Sequence, residues 1–129
     1  MTDLLIPTLV AGSRWDIERY FNKTLDLLIH EKIEIRGRAI FALGKLHYPE
    51  GSRSKLCDKA LSCLELSVSK ETDDKLLSNI ISSTFELYKY DRSKISIVTV
   101  IIDCALSKGE DFALYMASYR SSVTLREVK

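Results

Sequence analysis

Two histidines, His30 and His47, and three cysteines, Cys57, Cys63 and Cys104, are the residues of this sequence best suited to metal ligation or nucleophilic chemistry. Their spacing favours neither. Zinc sites draw on close pairs of thiolates or imidazoles, and the chain has no Cys-x-x-Cys and no His-x-x-x-His. His30-Glu31-Lys32-Ile33-Glu34 reads His-Glu-x-x-Glu, but the second histidine of a zinc-binding helix is missing. Cys57 and Cys63 lie six residues apart, which is about 240° around a helix, so they share no face. The sequence has no serine motif of the strand-turn-helix kind and no glycine-rich phosphate loop. Ser82-Ser83-Thr84 fits small residues at a helix contact. The expectation is a non-catalytic chain that needs no metal and no cofactor.

Charge points to a different kind of chemistry. The formal net charge is +1, which predicts neither a nucleic-acid binder nor a polyacidic mimic. Its distribution is uneven. Between Lys32 and Lys59 the bases Lys32, Arg36, Arg38, Lys45, Arg53, Lys55 and Lys59 outnumber the acids Glu34, Glu50 and Asp58. Between Glu65 and Asp74 the acids Glu65, Glu71, Asp73 and Asp74 face only Lys70. Helix-start charge explains part of the acidic cluster. An acidic rim of this kind also steers association with a basic partner surface. The basic stretch lacks the interleaved aromatics of a nucleic-acid face. Tyrosines are frequent interface anchors, and Tyr115 and Tyr119 stand one helical turn apart near the end of the chain. The candidate partner-binding residues are therefore Glu71, Asp73, Asp74, Asp111, Tyr115 and Tyr119.

Helices must position these groups. Ser13-Arg14-Trp15-Asp16 has the form of a capping box. It predicts a helix to about His30, with Trp15, Tyr20, Leu25, Leu28 and Ile29 recurring at helical spacing and with Trp15 and Tyr20 in the core. A helix over 34–47 buries Ile35, Ala39, Ile40, Leu43 and Leu46. Tyr48-Pro49-Glu50-Gly51 stops it. Further helices are expected over 54–68, 73–88, from a cap at Asp91 or Ser93 to Ser107, and over 110–119, with Ser121 to Lys129 frayed. The β-branched run Ile95 to Ile102 suits a strand. However, its apolar pattern continues through Cys104, Ala105 and Leu106, a length that favours helix.

The segments repeat. At an offset of 41 residues Ala39 meets Ile80, Ile40 meets Ile81, Leu46 meets Leu87, Cys57 meets Val98 and Ala60 meets Ile101. A period in the low forties with two helices per unit is the HEAT/armadillo pattern. Ile35-Arg36-Gly37-Arg38-Ala39-Ile40-Phe41-Ala42-Leu43-Gly44-Lys45-Leu46 resembles the first helix of a HEAT-like repeat, aliphatic-Arg-x-x-Ala-x-x-Ala-Leu-Gly-x-Leu, at every consensus position. In the second copy Leu77 replaces the arginine and Ser83-Thr84-Phe85 replaces Ala-Leu-Gly. The resemblance implies an all-α stack of about six helices in antiparallel hairpins, used to bind proteins. Its units are one domain over 1–129: a cap or degenerate repeat over 1–30, repeats over 33–68 and 73–107, and a second cap over 110–129.

The odd, sparse cysteines favour a reducing cytoplasm over a disulfide framework. Met1 to Gly12 carries Asp3 and Pro7 and no basic start, so a secretory signal is not expected. No apolar run approaches the length of a membrane span. In size and architecture the chain is similar to small helical bacterial immunity proteins of contact-dependent growth inhibition systems. That likeness implies one protein partner, a toxin domain that is neutralised, with neither nucleic acid nor membrane involved. The alternative is a HEAT-like adaptor or subunit of a cytoplasmic complex.

Overall fold

The computed structural model describes residues 4–108. These form six α-helices and no strand: α1 (Leu5–Trp15), α2 (Ile17–Leu27), α3 (Ile33–Leu43), α4 (Arg53–Lys70), α5 (Asp74–Tyr90) and α6 (Ile95–Lys108). A short 3-10 turn, Arg92–Lys94, joins the last two. The all-α expectation holds, and the helix expected over 110–119 lies outside the described residues.

The N-terminal third departs from the sequence reading. The helix expected from Ser13 to about His30 starts at Ile17 instead, and Ser13 belongs to the end of a preceding helix, α1, that the sequence reading did not include; the two are separated at Asp16. Pro7 sits in the first turn of α1, where a missing N–H costs no intrahelical bond. Asp16 closes α1 and caps α2, its carboxylate accepting from the Arg19 N–H at 3.2 Å. Ser13 caps nothing. Its hydroxyl donates to the Val10 carbonyl at 2.6 Å and accepts from the His47 N–H at 2.9 Å. The break resets the helical phase, so Trp15 is 91% exposed rather than buried, and Tyr20 is half-buried. The core on this side comes instead from Leu9, Phe21 and Leu28.

The central and C-terminal helices follow their apolar stripes. Ala39, Ile40, Ala42 and Leu43 of α3 are fully buried, as are Cys57, Ala60, Leu61 and Leu64 of α4. Their counterparts 41 residues on, Ile80, Ile81, Val98 and Ile101, are also buried. Asp73 caps α5, accepting from the Leu76 N–H at 3.1 Å. Asp91 accepts from the Ser93 N–H and hydroxyl at 3.1 and 2.6 Å and so starts the turn before α6. The β-branched run is helical because Val98, Ile101 and Ala105 make one buried stripe.

Helix α5 is the axis of the fold, packed against α3, α4 and α6. Small side chains let α3 approach it closely. A Cβ on Gly44 would stand 2.8 Å from Ser83 Cα, closer than real contacts allow. Ser83 donates to the Ile40 carbonyl, and Asn79 donates to the Gly37 carbonyl at 3.0 Å. These bonds use the second lone pair of carbonyls already in the α3 ladder. Tyr48, buried in the turn after α3, donates to the Leu43 carbonyl at 2.5 Å and meets Phe21 and Tyr90 edge-on.

The outer helices are unevenly supported. α2 packs against α1 and α3, whereas α4 packs against α5 and α6. α2 and α4 are not closely packed against each other, and neither are α3 and α4, which the repeat pattern pairs as a hairpin.

Candidate functional site

The gap between α2 and α4 is a groove along the outer face. One stretch, of about 780 Å³, is lined by Ile17, Glu18, Phe21 and Asn22 of α2 and by Lys55, Leu56, Asp58, Lys59 and Ser62 of α4. A second hollow, of about 430 Å³, lies farther along the same two walls, between Leu25, Leu28 and Ile29 on one side and Cys63, Leu66, Ser67 and Lys70 on the other. Its floor is apolar. At its lip Ile29 is 79% exposed and Leu66 is 63% exposed. Large apolar groups left exposed beside an apolar floor are the informative kind of surface hydrophobe.

The signal for Leu66 was present in the sequence. The buried stripe of α4 runs through Cys57, Leu61, Leu64 and Val68. Leu66 falls about 200° from Leu64 on the helical wheel. It belongs to a second stripe, Leu56, Lys59, Cys63, Leu66 and Lys70, spaced three or four apart, and that stripe faces the groove.

A clasp closes one end of the groove. Arg36 Nε and Nη2 donate to the two carboxylate oxygens of Glu71 at 2.7 and 3.1 Å. Arg36 Nη1 donates to the carbonyls of His30 and Glu31 at 3.0 and 3.2 Å. The Glu71 hydrogen bond raises the Arg36 pKa against the opposing effect of burial. Nearby, Lys108 Nζ donates to the Val68 and Ser69 carbonyls at 2.7 and 2.6 Å and so caps the end of α4.

The sequence-derived site residues scatter. Glu71 is engaged by Arg36, and Asp73 is engaged as the α5 cap. Asp73 also lines a separate hollow of about 510 Å³ between α3 and α5, with Ile33, Phe41, Lys75 and Asn79. Asp74 starts α5. Asp111, Tyr115 and Tyr119 lie outside the described residues. The charge asymmetry seen in the sequence is partly cancelled in space, because Arg36 meets Glu71 and Lys45 meets Glu86 at 3.4 Å, whereas Lys94 takes up Asp58 at 2.8 Å and leaves the lysines beside it uncompensated among the described residues. Long-range folding thus brings together charges that the sequence holds apart.

The titratable groups with shifted pKa values are structural. Burial pushes the Tyr48 hydroxyl well up and the Cys57 thiol to about 11. The Ser93 hydroxyl holds Asp91 down, and the hydrogen bond to Asp58 holds Lys94 up. Burial also raises Cys63, the thiol in the groove, which is the opposite of what an activated thiolate needs. Among the described residues no three His, Cys, Asp or Glu side chains cluster as a metal site would require, and no helix is long and apolar enough to cross a membrane.

What this arrangement can do is bind. It offers apolar hollows with exposed aliphatic lips between α2 and α4. No family model, no curated protein and no solved structure matches this chain.

Proposed function

We propose that this chain is a protein-binding module built on HEAT-like helical repeats, and that it holds its partner along the α2–α4 groove. The observation that carries the reading is the pair Ile29 and Leu66, exposed on facing walls of a trough floored by Phe21, Leu25, Leu28 and Leu56. Burying these two side chains in a complex contributes about 2 kcal/mol each. A role as an immunity protein that neutralises a toxin domain is the first assignment within this reading, supported by the likeness in size and architecture. A subunit of a cytoplasmic complex is the second.

Affinity capture of the tagged chain from its native cells, beside the Ile29→Asp/Leu66→Asp variant, tests the proposal. Both side chains are exposed, so the variant should keep the far-UV spectrum and melting temperature of the parent. The parent is expected to retain one stoichiometric partner and the variant to lose it by at least tenfold. A partner that is toxic when expressed alone, and harmless when co-expressed with this chain, establishes the immunity role. A multi-subunit complex establishes the adaptor. Equal capture by parent and variant removes the groove from the binding site.

A further inference from the structure

We propose that the α2–α4 groove takes a helical segment of the partner whose apolar stripe is flanked along one side by acidic residues. The inference rests on the protein-binding reading above and adds the chemistry of the occupant.

The argument is charge complementarity. Lys55, Lys59 and Lys70 stand along the α4 wall, and none has an ion-pair partner among the described residues. Asp58, the carboxylate beside them, is held by Lys94, and Glu71 at the far end is held by Arg36. The opposite wall carries Glu18, with Glu31 just beyond α2. The groove is therefore electrically two-sided, basic on α4 and acidic on the α2 side. An occupant lying apolar side down is matched best when its acids face the lysines of α4 and turn away from Glu18, which favours one rotation about its own axis.

The length of the wall and the absence of a sheet edge among the described residues favour a helix. The α2 wall has 11 residues, about 16 Å at the helical rise, or three turns. Three turns place aliphatic anchors at i, i+3 or i+4, and i+7, the pattern of helix-in-groove recognition. An extended peptide gains most from pairing with a sheet edge, and the described residues contain no strand.

The test uses the full chain and two synthetic helical peptides of about four turns. Both carry the same leucine stripe. One has glutamates along one flank, and the other has lysines there. Anisotropy gives affinity, and mass-resolved alkylation of Cys63, the groove thiol, reports location. The glutamate peptide is expected to bind at least tenfold tighter, to weaken with added salt and to slow Cys63 alkylation. Lys55→Glu/Lys59→Glu should reverse the preference. Equal affinity for the two peptides, or binding indifferent to that variant, overturns the proposal. So does Cys63 alkylation in the free chain as slow as that of buried Cys57, which would mean that the chain covers its own groove. A concentration-dependent dimer that protects Cys63 overturns it in favour of a second copy. If both peptides fail while partner capture stays sensitive to Ile29→Asp/Leu66→Asp, only the acidic-flank inference falls. If that sensitivity is absent, the reading beneath it falls as well.

Discussion

Replacing Arg36 with leucine removes four hydrogen bonds at once, two to Glu71 and two to backbone carbonyls at the α2–α3 turn. The guanidinium joins that turn to the α4–α5 turn, a link across 35 positions of sequence. The two side chains are 21% and 12% exposed. The pair thus stands between a surface ion pair, worth up to about 1 kcal/mol, and a buried one, whose rupture costs about 3–5 kcal/mol. We expect Arg36→Leu to cost about 2 kcal/mol. Glu71→Gln keeps one accepting oxygen and loses the charge, so it should cost about 1 kcal/mol. Urea denaturation of both single variants and the double variant gives the coupling, expected near 1 kcal/mol, with the m value unchanged. Added salt should weaken the coupling only in part, because the pair is largely covered. A coupling below about 0.3 kcal/mol would mean that the clasp contributes nothing beyond its separate side chains, and the argument from its burial would fail.

Three other outcomes are expected. Gly44→Ala should lose about 1–3 kcal/mol in chemical denaturation, because the new methyl meets Ser83 backbone. Gly51→Ala, with nothing within 4 Å, should stay within about 0.5 kcal/mol; similar losses at both sites would refute the close α3–α5 approach. The Cys57 thiol ionises at about 11 in the folded chain against an ordinary value of 9.0. The unfolded chain therefore sheds this proton first, so stability is full below pH 9 and declines as pH rises towards 11. Cys57→Ala should flatten that decline, and stability rising across the window would contradict the burial argument. The fluorescence of Trp15, 91% exposed, should be quenched by iodide almost as readily as free indole, whereas a protected signal would place it in the core after all.

Much of the fold was legible because its stripes are regular. The stripes of α3, α4 and α6 are buried at Ala39, Ile40, Leu43, Cys57, Ala60, Leu61, Leu64, Val98 and Ile101, but Ile35 and Leu56, expected beside them, are only half-buried. α5 is covered without a gap from Ile80 to Phe85 because it has helices on several sides. Asp73 and Asp91 act at the helix starts their types suggest. The N-terminal error has a local cause. Ser-x-x-Asp reads as a cap at Ser13, but the Ser13 hydroxyl is committed to His47, a partner 34 residues away that no local pattern reveals. Once the break moves to Asp16, Trp15 turns outward. The candidate site was the least legible part. Acidic residues near a turn looked like a binding rim, yet Glu71 is spent on Arg36 and Asp73 on a backbone N–H. The groove depends on the placement of α2 relative to α4, which side-chain periodicity does not encode. Leu66, off the buried stripe of α4, is the one signal that could have marked it, and a reading guided by the buried stripe passes over it.

The separation of α2 from α4 also has a mechanical side. α2 is fixed along one flank only, through α1 and α3, while α4 is braced by α5 and α6. The first two helices therefore form a cantilever on the α3 seam. A small rotation there changes the width of the trough along its whole length and leaves the α4–α6 packing untouched. The width of the trough is thus set by how α2 sits on that seam, while the wall that carries the lysines is placed independently by α5 and α6.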